Sequence, residues 1–206
     1  MRILPNALQH LVGELTKLPG VGEKTALRYA VGLLKGGQKR LSDLEKTLSL
    51  VRVELGACPR CFFWTENGVC SVCEDPARTH SQRICVVRDA PDVIALERFR
   101  AHPWRYHVLQ GLLSPLGGVG PSQLRINELV ERVVSETVQE VIFALDATVE
   151  GDATALYIRE QIRARSPKAV VTRTALGLPA GASVEYLDPS TLESALLHRT
   201  QLGEDR

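Results

Sequence analysis

The sequence predicts an α/β protein in which a mostly parallel sheet is joined to a small helical unit and a small cysteine-bearing unit. Three observations carry that prediction. From Ile84 onward, short apolar strand signals alternate with helical periodicities, the pattern of parallel strands covered by helices on both faces. Residues 58–73, CPRCFFWTENGVCSVC, hold four of the five cysteines as two C-x-x-C pairs eight residues apart. Residues 1–56 read as helices alone, with a glycine turn, LPGVG, between the first two.

With 206 residues, 44% hydrophobic and 24% charged, the chain can bury one substantial core plus accessory units, and its composition excludes a disordered or fibrous class. The expected boundaries are 1–56 for the helical region, 57–78 for the cysteine region, 79–178 for the sheet unit and 179–206 for a C-terminal tail and helix. MRILPNALQH lacks the features of an export signal and no apolar run reaches membrane-spanning length, so a cytoplasmic location without a membrane partner is expected. The net charge of +1 is uninformative about nucleic acid, but up to Gly56 nine basic residues stand against five acidic ones. Positive charge is therefore concentrated in the N-terminal quarter.

Within that quarter, Leu8, Leu11, Val12 and Leu15 recur at helical spacing, and a second helix is expected from about Glu23 to Leu34. Pro19, Gly20 and Gly22 fall in the turn between them. Gly20 and Gly22 let a backbone approach closely, the free N–H groups opening the second helix can point at a phosphate, and Lys24 and Arg28 share one face four residues apart. A plain helical hairpin is the bland alternative. G-V-G-E-K-T is not a P-loop, because Glu23 rather than glycine precedes Lys24 and a helix rather than a strand comes before it. LPGVGEKTALR resembles the helix-hairpin-helix motif of DNA-binding proteins, which implies that Gly20, Gly22, Lys24 and Arg28 grip the sugar-phosphate backbone without reading bases. A third, amphipathic helix is expected over 41–54, starting at Ser42 or Asp43.

Cys58, Cys61, Cys70 and Cys73 have the spacing of a closed, four-thiolate structural Zn²⁺ site in a small knuckle. Two disulfides or four separate buried thiols are the alternatives, and the lack of an export signal favours metal. Phe62, Phe63 and Trp64 could stack on bases but are better used to cap a core too small to spare them. EDPARTHSQR reads as a linker. The strand ICVV, with Cys85 as a small buried residue, is followed by a helix at PDVIALERFR and a strand at YHVLQ, where His107 has a structural role. LLSPLGGVGP lacks the lysine of an ATP cradle and reads as a flexible connection. Beyond it lie a helix at 123–135, a strand at 141–145, a helix at 153–165, a strand at 169–174 and a last helix near 191–198.

The turn DATVEGDA places Asp146, Glu150 and Asp152 where such sheets bind ligands, beyond a strand's carboxyl end. They are a candidate Mg²⁺ site, and helix capping by Asp146 or Asp152 beside a solvated Glu150 accounts for them equally well.

The order of these motifs, together with YHVLQGLLSPLGGVGP, TVEGDATALY and GLPAGASVEY, closely resembles the RecR family of bacterial recombination-repair proteins, over nearly the whole chain to about Leu197. The resemblance implies a Toprim domain for the sheet unit and zinc at the four cysteines. It also implies a non-enzymatic mediator that forms a ring-like homo-oligomer, dimer or tetramer, around DNA. Such a mediator works with RecO and RecF and helps load RecA at single-stranded gaps coated by single-strand binding protein. Two positions depart from the expected pattern, the first being Arg88, which stands where a Toprim domain has a glutamate. Thr148 likewise replaces the second aspartate of the D-x-D pair. Both changes weigh against Mg²⁺ and against the rival reading, a Toprim-type nuclease, primase or topoisomerase.

Overall fold

In the computed structural model, residues 3–98, 103–175, 177–178 and 181–199 are described, and the chain divides into two compact units between Leu55 and Gly56. The first contains three helices, α1 (Asn6–Leu15), α2 (Glu23–Lys35) and α3 (Gly37–Glu54). Val12, Ala26 and Ala30 are buried, with Leu8, Leu11, Leu15, Val21 and Leu27 packed against them. The two alanines keep side-chain bulk out of the α1–α2 contact, which lets the helices close on one another. α3 begins at Gly37, not at Ser42 or Asp43. Gly36 ends α2 and Gly37 has φ +72°, a left-handed reversal that glycine makes without steric cost, so the chain needs no polar cap to start again. None of the described α3 side chains is buried, and Leu48, Leu50, Val51 and Val53 are exposed in this unit.

The second unit is built on four parallel strands, β3 (Arg83–Val87), β4 (Arg105–Val108), β5 (Glu140–Ala144) and β6 (Val170–Arg173), in the order β4-β3-β5-β6. They are preceded by a small antiparallel pair, β1 (Gly56–Ala57) and β2 (Trp64–Thr65). β3 is a continuous apolar run because both its faces are covered. Ile84 and Val86 join a core with residues of α7 (Ile126–Ser135) and α8 (Val149–Arg165), while Cys85 and Val87 pack with Val93 of α6 (Ala90–Leu96) and with Phe62, Phe63 and Val72 of the cysteine segment. Period-two alternation thus sends one strand's side chains into two cores. As expected, Cys85 is a buried strand residue, its thiol pushed up to about 12 by burial.

The 74–83 stretch is not a bare linker. It carries α5 (Pro76–Thr79), after α4 (Ser71–Glu74). Asp75 caps α5 by accepting from the Ala77 N–H at 2.9 Å, and Arg78 grips Glu97 with two hydrogen bonds of 2.7 and 2.9 Å. Arg78 reads as solvated in sequence because Glu97 lies 19 residues away. LLSPLGGVGP is likewise tied down. Ser114 and Val119 exchange backbone hydrogen bonds of 3.0 and 2.9 Å, and the Leu113 N–H donates to Thr154 Oγ1 at 2.9 Å. The tail contributes a turn at Val184–Tyr186 and α9 (Pro189–Leu197). No helix among the described residues is long and apolar enough to cross a membrane.

Candidate metal centre and nucleic-acid interface

The four cysteines of the C-x-x-C pairs converge. Their ligand atoms all lie within 4.8 Å of one another and all four residues are buried. Each pair is wound by its own backbone, with Phe62 N–H donating to Cys58 O at 2.9 Å and Cys73 N–H to Cys70 O at 2.9 Å. The Cys70 N–H also donates to Cys58 Sγ at 3.4 Å, and Cys61 Sγ and Cys70 Sγ are 3.5 Å apart. Four thiolates around a tetrahedral Zn²⁺ at about 2.3 Å stand roughly 3.8 Å apart, so the donor set fits a four-coordinate ion with no position left open. Hydrogen bonds from the Cys61 and Cys73 thiols pull the Cys70 thiol well below its ordinary value, and the bond to Cys70 is the largest of the effects that push Cys61 well above its own. Sulfurs this close accommodate one negative charge and resist a second, a conflict that a cation relieves.

The cysteine segment is fixed to the sheet. Edge strand β4 donates its Val108 N–H to Cys61 O at 2.8 Å. Phe62 has φ +64°, unusual for an aromatic residue, and its ring is held edge-on to His107 at 5.3 Å and beneath the Arg125 guanidinium at 4.9 Å. Phe62 and Phe63 are packed as expected, but Trp64 is exposed and stacks on Phe63. His107 is fully buried, with Nε2 2.7 Å from Arg125 O, and burial pulls its imidazole down to about 3. It is neutral and structural.

In the N-terminal unit, Gly20 has φ +75°, and Gly22 is the extended N-cap of α2 with no side chain to cap the first turn. A Cβ built on either glycine meets nothing within 4 Å among the described residues, so the space before the turn is open to a ligand. Lys24 and Arg28 are both exposed, one helical turn apart. The first-turn N–H groups, the open backbone and two cations therefore coincide at one helix start, the arrangement that phosphate recognition uses. Glu23 is the acidic residue of that turn and is exposed.

The acidic turn lies at a topological switch point. From central strand β3 the chain runs to β4 on one side and later returns to β5 on the other, and Val87 pairs with Ala144, which sets Arg88 beside the residues following β5. Arg88 Nη1 is paired with Asp146 Oδ2, and Arg88 also faces Asp89 and Asp92 at 3.4 and 3.9 Å. Asp152 pairs with Arg173 at 3.0 Å, and Glu150 is exposed. Thr148 caps α8 by accepting from the Gly151 N–H at 3.1 Å. A Cβ on Gly151 would sit 2.0 Å from Asp146 O, so only glycine lets the helix start this close to the turn. Asp146, Glu150 and Asp152 do not gather into a cluster that could hold an ion among the described residues. Protein cations already answer two of them.

A second charged cluster is not evident from the sequence. Arg60, Arg105 and Arg132 all reach Glu136, and Arg105 and Arg132 are buried. An arginine opening the otherwise apolar-faced strand RYHV was the available signal.

Family models match three stretches: RecR helix-hairpin-helix over residues 8–51, Toprim domain over 82–175 and RecR C-terminal over 177–200. Among curated relatives, "Recombination protein RecR" of Pelobacter propionicus is 46% identical over 198 residues, 96% of this chain and 98% of the relative. That of Synechococcus elongatus is 43% identical over 202 residues, 98% and 100% of the two chains. That of Geotalea uraniireducens is 47% identical over 199 residues, 97% and 98%.

Proposed function

The chain belongs to the RecR family of recombination proteins, and from that premise we propose that it is a DNA repair and recombination mediator. It binds the DNA backbone without sequence preference as an oligomeric clamp, and in the cytoplasm it acts with RecO and RecF to help load RecA at single-stranded gaps. The observation that carries this reading is the open glycine turn at Gly20 and Gly22 with Lys24 and Arg28 beside it. The four regions divide the labour: 1–56 contacts DNA, 57–78 holds a structural Zn²⁺ on Cys58, Cys61, Cys70 and Cys73, 79–178 is the Toprim-like platform for partner proteins, and 179–206 contributes an oligomer contact. Zinc is preferred because it alone among common ions combines four thiolates with a closed tetrahedral shell and no redox chemistry.

The role is non-catalytic. Asp146, Glu150 and Asp152 correspond to a Toprim acidic site, but Arg88 and Arg173 supply the positive charge that Mg²⁺ would bring, leaving a nuclease, primase or topoisomerase without its ion. Arg88→Glu removes that internal cation and adds a carboxylate next to Asp146. Calorimetry is expected to detect Mg²⁺ binding to this variant and none to the parent. Mg²⁺-dependent nicking by the parent that vanishes in Glu150→Gln would defeat the non-catalytic reading.

Sedimentation velocity of the purified protein, alone and with gapped DNA and RecO, tests the mediator reading. A homo-oligomer that co-sediments with the gapped DNA and with RecO is expected. A monomer with affinity for neither would overturn it.

A further inference from the structure

The cluster around Glu136 carries more positive charge than it can balance. Glu136 Oε1 accepts from Arg60 Nε at 3.1 Å, both carboxylate oxygens lie 3.2 Å from Arg132 Nε, and Oε2 pairs with Arg105 Nη1. Three guanidinium groups thus share one carboxylate. Burial acts to raise the Glu136 carboxyl, but Arg132, Arg105 and Arg60 outweigh it and hold the group below its ordinary value. Arg105 is 4% and Arg132 7% exposed, where bulk water cannot screen them. Arg132 gives one more N–H to Tyr106 O at 2.7 Å, while Arg105 Nε and Arg132 Nη2 are buried without a hydrogen-bond partner among the described residues. Nearby acids do not cancel the excess: Glu128 is paired with Arg125 and Glu131 is exposed. A net buried charge costs several kcal/mol unless an opposite charge lies close.

A second source of negative charge is the cysteine segment that Arg60 belongs to. Arg60 sits in the turn between Cys58 and Cys61. Arg105 is on β4, the strand whose Val108 N–H binds Cys61 O. Four thiolates around one divalent cation leave two negative charges, and three arginines with one glutamate leave two positive ones.

We propose that Arg60, Arg105 and Arg132, held together by Glu136, form the counter-charge of the metal–tetrathiolate centre, so that the cluster sets how tightly the four cysteines hold their ion. This inference rests on metal binding at those cysteines. It assigns the arginines a positioning and electrostatic role toward the ion, distinct from ligation, and explains why a charged pair of side chains is buried between the cysteine segment and α7 where apolar ones would pack at lower cost.

Arg60 is the residue to vary, because its side chain, 34% exposed, is the most accessible of the three arginines. Zinc affinity and release rate are measured by chelator competition on full-length protein for the parent, Arg60→Lys, Arg60→Gln and Arg60→Glu, with circular dichroism in saturating zinc confirming a common fold. Affinity is expected to follow charge: close to the parent for Lys, about tenfold weaker for Gln and about a hundredfold weaker for Glu. Equal weakening in Lys, Gln and Glu, or full affinity in Arg60→Glu, overturns the proposal. A parent protein without one zinc per chain would instead overturn the metal reading beneath it.

Discussion

Cys58→Ser is expected to empty the metal centre and melt the cysteine segment while the sheet survives. A serine hydroxyl cannot become an anion at neutral pH, so three thiolates remain in a fully buried site shaped for four. Structural zinc contributes about 10–16 kcal/mol of apparent binding free energy in small zinc domains, and that binding energy is folding energy. The segment is too short to hold itself: β1 and β2 are two residues each and α4 and α5 four each. The core of Ile84, Val86, Leu129, Val141 and Ile158 does not include the sulfurs, so the four parallel strands should persist. Zinc content is expected to fall from one per chain to near zero, with new protease cleavage confined to about residues 58–80 and most circular dichroism retained. Lowering the pH has the same sign in the parent, because each ligand must lose a proton to bind the ion. Unchanged zinc content and unchanged protease resistance in Cys58→Ser would end this account of the cluster.

Replacing Lys24 and Arg28 together by alanine should remove most DNA affinity without touching the fold. Both side chains are exposed and outside the Val12, Ala26 and Ala30 core. Removing one cation from a duplex phosphate reduces the slope of log affinity against log salt by about 0.9, and from a single-stranded phosphate by about 0.7. The double variant should therefore flatten the slope by about 1.8 or 1.4 per engaged subunit, and an oligomer multiplies the effect. Affinity is expected to fall on the order of a hundredfold at low salt, converging toward the parent as salt rises. Melting temperature and zinc content should match the parent. If affinity and slope are both unchanged, the glycine turn is only a connection and the backbone-gripping role of Gly20, Gly22, Lys24 and Arg28 falls.

Much of this was legible along the chain because it depends on short-range spacing. The two C-x-x-C pairs predicted convergence of four sulfurs, and LPGVG predicted the α1–α2 turn, since a left-handed Gly20 needs only its own missing side chain. Strand and helix alternation predicted the parallel sheet. Element ends were less legible where a distant contact or a backbone reversal sets them. α8 begins at Val149 rather than Ala153 because Thr148 caps it and Gly151 packs on Asp146 O, and α3 begins at Gly37 because the Gly36–Gly37 reversal outcompetes the caps at Ser42 and Asp43. The 74–83 stretch looked like a linker because Glu97, which holds Arg78, is 19 residues away.

By itself, the sequence determined the kinds of chemistry available: a four-thiolate centre, a basic glycine turn and an acidic turn with Arg88 out of pattern. Tertiary structure alone decided which charges meet. Arg88 lies 58 residues before Asp146 and Arg60 lies 76 before Glu136, and no local periodicity encodes such pairings. They arise because parallel strands bring the ends of separate crossovers to one edge and because the cysteine segment packs on a face of the sheet. Desolvation then gives a charge pair its strength or its cost, and desolvation is a property of the folded chain.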